Sequence, residues 1–128
     1  MADEITINLS VDVVSGNTRA SFRPLAITPD LAIATFKDGV QNINTSAGEL
    51  LSVPTDVSAG GYCWFRNLST STSVTYDPTI SISHGAATNA AFMQLRPSEY
   101  ALIRCVTTTM YAISSTATAN LQFGMMSA

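Results

Sequence analysis

Residues 61–68 read Gly-Tyr-Cys-Trp-Phe-Arg-Asn-Leu, and this stretch decides the fold class. It is rich in the aromatic residues that strands favour, and in a strand its side chains alternate between two faces. One face carries Tyr62, Trp64, Arg66 and Leu68, and the other carries Cys63, Phe65 and Asn67. Both faces are partly apolar, which predicts a strand covered on both sides. Two interpretations stay open: Trp64 and Phe65 belong to the core, or the Trp64 face, with Arg66, contacts another subunit.

The segments on either side of this stretch also follow the periodicity of strands. Residues 4–13 alternate strictly between apolar and polar side chains, which predicts a half-buried N-terminal strand. Residues 31–36 suit either a strand or a short helical turn capped by Asp30. If residues 31–36 are counted as a strand, the further predicted strands are 20–27, 31–36, 40–44, 49–53, 73–77, 91–95, 99–106, 109–113 and 119–125.

Short turn sequences separate these predicted strands. Asp38-Gly39 is a strong hairpin signal, Pro97 suits the second position of a tight turn, and residues 114–116 are predicted to close a last hairpin. No segment holds a helical stripe longer than one or two turns. Many short strands at this spacing predict one domain over residues 1–128, an all-β, antiparallel, jelly-roll-like sandwich of about eight strands.

The composition argues against several classes of partner. Charged residues make up 12% of the chain, about half the usual share. The net charge is −3, and the basic residues form no stripe that would suit nucleic acid. No apolar run approaches the ~18–20 residues of a membrane helix. Asp3 and Glu4 lie where a secretory signal needs positive charge, so the chain is expected to be made and kept in a cytoplasm.

Residues able to carry out chemistry are few. His84, the single histidine, lies among small residues and is interpreted as a surface loop residue rather than a catalytic group or ligand. The nine carboxylates fall mostly at turns, and no pair has a spacing that aims both into one cleft. Cys63 and Cys105 are interpreted as small buried apolar residues, with a bridge open only if their strands are neighbours. The sequence predicts no enzyme, no cofactor and no metal.

Low charge and a high content of small residues point instead to assembly. Interfaces are depleted in Lys and Glu, and a free monomer normally keeps more surface charge for solubility. The chain therefore resembles a subunit that is packed against others.

Several motifs occur in order from about residue 40 onward. They lie at residues 40–45, 48–53, 61–68, 93–104, 110–113 and 121–123. Together they resemble small virion structural proteins of tailed bacteriophages, of the decoration type, over about two thirds of the chain. Two positions depart from that pattern and bear on turn geometry: Ser98 stands where a "Leu-x-Pro-Gly-Glu" hairpin has glycine, and Ser69-Thr70 where an Asp is common.

The resemblance implies a non-enzymatic capsid decoration (cement) protein, a homotrimer on the outside of the major capsid shell, assembled in the host cytoplasm. The residues expected to make its contacts are Arg19, Arg23, Trp64 and Arg66. The N-terminal strand pairs in the sandwich or reaches across to a neighbour. Two alternatives stay open. The first is a receptor-binding tail or head-fibre component, disfavoured because the sequence has no heptad stalk. The second is a carbohydrate-binding module, disfavoured because the core needs several of the ten aromatic residues.

Overall fold

The computed structural model describes residues 3–4, 6–25, 30–31, 36–52, 61–70, 77–88, 90–104 and 109–126. All regular structure in these segments is β-strand. In chain order the strands are β1 (Asp3–Glu4), β2 (Val11–Ser15), β3 (Thr18–Phe22), β4 (Asp30–Leu31), β5 (Phe36–Ile43), β6 (Glu49–Leu50), β7 (Tyr62–Asn67), β8 (Ile80–His84), β9 (Met93–Leu95), β10 (Tyr100–Arg104), β11 (Met110–Ser114) and β12 (Ala119–Met126).

The strands from β5 onward form two four-stranded sheets. Their orders are β10-β7-β12-β5 and β6-β11-β8-β9, and all neighbours are antiparallel. The pairing is nested, since β5 pairs with β12, β6 with β11, β7 with β10, and β8 with β9. The strands β2 and β3 form a separate hairpin, and β1 pairs with β4. The predicted all-β, antiparallel fold is confirmed, and its two sheets are those of a β-sandwich.

The core lies between the two sheets because one face of each strand is apolar. In β7 the buried residues are those of the Phe65 face, while Trp64 and Arg66 point the other way. The buried hydrophobic residues are Ile43, Leu51, Cys63, Phe65, Ile80, Ile82, Leu95, Met110, Ala112, Ala119, Leu121, Phe123 and Met125. The two-faced alternation read from residues 61–68 is therefore confirmed, with Phe65 in the core and Trp64 outside it.

One buried amide joins the two sheets. Asn67, fully buried at the end of β7, donates through Nδ2 to the carbonyl of Pro78 at 2.9 Å and to that of Leu95 at 3.1 Å. Its Oδ1 accepts from the backbone N–H of Ser69 at 3.0 Å. Since a buried polar group without a partner is costly, these three bonds fix the end of β7 against the end of β9.

Three predicted hairpins are wrong. The strand β5 runs straight through Asp38-Gly39, which lies within its pairing with β12. Residues 96–98 connect β9 to β10, and residues 115–118 connect β11 to β12, but in each case the two strands belong to opposite sheets. Turn residues reverse the chain locally and do not specify whether the next strand pairs with the last one or crosses the core.

Ser98 adopts the backbone conformation that the resembling proteins would give to glycine. Its φ is 68°, following Pro97 in a turn where the N–H of Glu99 donates to the carbonyl of Arg96 at 3.0 Å. Positive φ at the third position after proline at the second defines a type II turn, which normally demands glycine. The carboxylate of Glu99 also accepts from the N–H of Arg96 at 2.8 Å, which holds the turn closed.

The N-terminal prediction is only partly correct. The continuous half-buried strand expected at 4–13 is interrupted, and β2 is exposed at every position. The next predicted strand, at 20–27, is instead β3 and ends at Phe22. Residues 32–35, where a helical turn remained an alternative, and residues 71–76, which include most of the strand predicted at 73–77, lie outside the described residues.

Cys63 corrects the prediction made for the cysteines. It is fully buried as expected, but it is disulfide-bonded rather than a free apolar side chain. The strands β7 and β10 are paired, with Cys63 opposite Ile103. The other cysteine, Cys105, lies outside the described residues.

Candidate functional site: two uncovered surfaces

The outer side of the sheet containing β7 is rich in aromatic and arginine side chains. We call this surface the aromatic face and define it by Tyr62, Trp64, Arg66, Tyr100, Leu102, Arg104 and Gln122. Tyr100 is 77% exposed and Leu102 is 43% exposed, and both lie on β10, the edge strand that pairs with β7. Exposed Trp, Tyr and Arg side chains on one surface are the composition of interface centres, where Lys and Glu are rare.

Trp64 lies across β12 because β12 has a glycine there. Gly124 is opposite Trp64 in the register, and a Cβ built on Gly124 would lie 2.1 Å from the indole Nε1 and 2.5 Å from Cε2. Such distances are far below van der Waals contact, so only glycine leaves room for the ring. The indole is therefore half-buried against the backbone of β12 at the centre of the aromatic face.

The two arginines of the aromatic face carry its charge. The guanidinium carbon of Arg104 lies 5.6 Å from the ring centroid of Tyr62, a cation–π distance. Arg66 is exposed between Tyr100 and Gln122, its cross-strand neighbours, and its side chain has no ion pair or hydrogen bond among the described residues. The face thus presents a free guanidinium beside an indole and a phenol.

The hairpin of β2 and β3 is exposed at every one of its positions. We call residues 11–22 the arm. The two-residue turn Gly16-Asn17 joins its strands, and the positive φ of 56° at Gly16 is the conformation such a turn requires at its first position. An isolated two-stranded hairpin is marginally stable at best in water, and the arm is exposed on both of its sides.

The two sides of the arm differ in chemistry. Directly opposed residues share a face, and the pairs Val11–Phe22 and Val13–Ala20 form one apolar side, which we call the arm stripe. Phe22 is 58% exposed and Val13 is 49% exposed. The arm stripe therefore shows about half of its apolar surface to solvent.

The opposite side of the arm is mainly polar. The carboxylate of Asp12 accepts from Ser21 Oγ at 2.7 Å and from the Arg23 guanidinium at 3.0 Å. Arg19 lies on this side opposite Val14, which is 69% exposed. Exposed pairs such as Arg23–Asp12 contribute little to stability, so this side is not held by its own charges.

The four predicted contact residues fall on these two surfaces. Arg19 and Arg23 belong to the polar side of the arm and its end, while Trp64 and Arg66 belong to the aromatic face. The structure does not bring all four together. Sequence reasoning missed Tyr100, Leu102 and Phe22, although residues 100–104 show the same two-faced apolar pattern as residues 61–68.

Outside these surfaces the described residues offer little chemistry. His84 is the last residue of β8, exposed, with its ring centroid 5.9 Å from that of Phe92. Among the described residues no cluster of three His, Cys, Asp or Glu side chains could hold a metal ion. The same segments contain no helix of the length and apolarity that a membrane crossing requires.

Comparison with protein-family models, with curated proteins and with solved structures finds no match for this chain.

Proposed function

We propose that the chain is a non-enzymatic structural protein of a bacteriophage virion, a capsid decoration (cement) protein that stabilises the major capsid shell from outside as a homotrimer. The observation that carries this proposal is the arm, a hairpin exposed on both of its sides. A segment with an apolar side and a basic polar side, both of them exposed, is suited to lie between two other subunits.

The polar side of the arm is the proposed contact with the shell. Arg19 and Arg23 are exposed there beside Val14, so the contact would combine positive charge with one aliphatic anchor. Trp64 and Arg66 are the proposed contacts between copies of the chain. No nucleic acid, membrane or cofactor takes part in this function.

Two features of the fold support this proposal. The sandwich is proposed to be a jelly roll, a double-sheet fold common in capsid proteins, and the nested pairing of the strands β5 to β12 supports this. Cys63 is disulfide-bonded, and disulfides persist in oxidising surroundings such as those that a virion meets once it leaves the host cytoplasm.

Binding to empty shells tests the proposal. Purified protein is mixed with shells of the phage's major capsid protein and sedimented, and we expect it to pellet with the shells at saturating stoichiometry. Arg19→Glu should weaken this binding at least tenfold, while the charge-matched control Arg96→Glu, outside the arm and the aromatic face, should bind as the wild type does. Protein that stays in the supernatant with every shell preparation would refute the decoration role.

A carbohydrate-binding module is the second candidate, and one observation favours it. The indole of Trp64 lies against Gly124, with Gln122 and Arg66 on the same face, an arrangement that could stack on a sugar ring and bind its hydroxyls. Since Trp64 is the single tryptophan, its emission reports on this site alone. Saturable quenching by chitohexaose or maltohexaose, weakened in Arg66→Ala, would establish this function, and an unchanged spectrum would reject it for these sugars.

A further inference from the structure

The arm stripe and the aromatic face are two apolar surfaces that the folded chain leaves uncovered. The arm stripe carries Val11, Val13 and Phe22 with no charged side chain among them. Covering the arm stripe therefore removes no charged group from water, and burial of its exposed apolar area favours association.

The aromatic face matches the arm stripe in length and in chemistry. The arm and the β7–β10 pair are both ladders of five residue pairs, each about 17 Å long at the rise of an antiparallel strand. Tyr62, Trp64 and Leu102 form an uncharged centre to the face, and the flexible stems of its arginines allow their guanidinium groups to stay in water at the margin.

The position where the arm leaves the sandwich favours contact between the arm stripe and the aromatic face of a second copy, rather than the aromatic face of the same chain. Residues 7–9, which lead into the arm, line one depression together with Tyr62 and residues 100–104 of β10. The root of each arm is thus already seated at the edge of its own aromatic face. Beyond that root, the described strands of the sandwich make no more than isolated contacts with β2 and β3, so these strands do not cover the arm.

We infer that the arm stripe of each chain docks on the aromatic face of a neighbouring copy, so that the copies join head to tail. The contact is heterologous, with a different surface on each partner, and such contacts close into a ring when the rotation allows. This inference rests on the proposed function only in taking the chain as an oligomer subunit. It leaves the polar side of the arm free for the shell.

Two surface substitutions test each half of the contact separately. Phe22→Asp disables the arm stripe, and Tyr100→Asp, at a position that is 77% exposed, disables the aromatic face that receives it. Each should reduce the mass measured by light scattering from about three chains to one chain of 13.5 kDa, and should red-shift the emission of Trp64. Val14→Asp, on the other side of the same arm, is the matched control and should remain fully oligomeric.

Mixing the two disabled variants distinguishes head-to-tail docking from symmetric pairing. Phe22→Asp has an unaltered aromatic face and Tyr100→Asp has an unaltered arm stripe. In an equimolar mixture the arm stripe of the second variant can therefore contact the aromatic face of the first, and the mixture should form a dimer. A mixture that stays monomeric, or a wild type whose oligomer survives Phe22→Asp, overturns the inference. A wild type that is monomeric at all concentrations also overturns it, yet such a monomer could still pellet with shells, so the proposed function is tested independently. Far-UV circular dichroism confirms that each variant is folded.

Discussion

Gly124→Ala is the substitution whose effect is fixed most directly by the geometry of the aromatic face. In an ordinary strand this change is favourable, since alanine has fewer unfolded conformations to lose, and a gain of about 0.4–1 kcal/mol would be expected. Here the added methyl would meet Trp64 Nε1 at 2.1 Å. The indole must therefore move by more than 1 Å, an overpacking that typically costs about 1–3 kcal/mol.

The net expectation is a loss of about 1–2 kcal/mol in the free energy of unfolding. The effect of the same substitution on stability should change sign once the indole ring is removed. In the Trp64→Ala background, Gly124→Ala should stabilise by about 0.4–1 kcal/mol, because only the unfolded-state effect remains. The coupling energy between the two positions is then about 2 kcal/mol, well above the error of a double-mutant cycle.

Urea unfolding followed by far-UV circular dichroism measures all four proteins at one protein concentration, since association would otherwise shift their apparent stability. The emission of Trp64 in Gly124→Ala should also move to the red as the ring is lifted into solvent. If Gly124→Ala proves as stable as the wild type and its emission is unchanged, the indole does not lie on β12 and this account of the aromatic face is wrong.

Other substitutions test single interactions, each by urea unfolding. Ser98→Gly should stabilise by about 1 kcal/mol, because Ser98 holds a φ of 68° that costs a residue with a Cβ about 1–2 kcal/mol; a loss would mean that the serine side chain compensates for this strain. Asn67→Ala should cost about 2–4 kcal/mol by orphaning buried backbone groups, and a change under 0.5 kcal/mol would contradict the hydrogen bonds assigned to it. Asp12→Asn should change stability by less than about 1 kcal/mol, as an exposed pair with Arg23 allows. Cys63→Ala should lose about 2–5 kcal/mol under oxidising conditions and come within about 1 kcal/mol of the wild type when both are reduced; equal losses in both conditions would assign the effect to packing.

The faces of individual strands were predictable from the sequence because alternation is a local property. In residues 61–68 the pattern correctly separates Phe65, which is buried, from Arg66, which is exposed. What the pattern leaves open is whether an outward tryptophan is covered. That depends on Gly124, a residue far away in sequence whose missing side chain makes room for the indole.

The connections between strands were not predictable in the same way. The turns at 96–98 and 114–116 have the residues of hairpins, but the nested pairing sends each following strand into the opposite sheet. The choice is made by long-range contacts such as the bonds of Asn67 to the ends of β9 and of the segment before β8. A turn sequence encodes none of these partners.

The arm shows how an incorrect burial prediction leads to a hypothesis about assembly. Alternation across 4–13 predicts a half-buried strand, and the apolar residues of the arm stripe do share one face as expected. In the structure these residues are exposed, although the sequence pattern is that of a covered surface. A hairpin of this length is marginally stable at best by its own pairing, which is the reason for proposing that a second copy of the chain covers it. The aromatic face, exposed on the same chain and of the same length, is the surface that we propose for this contact.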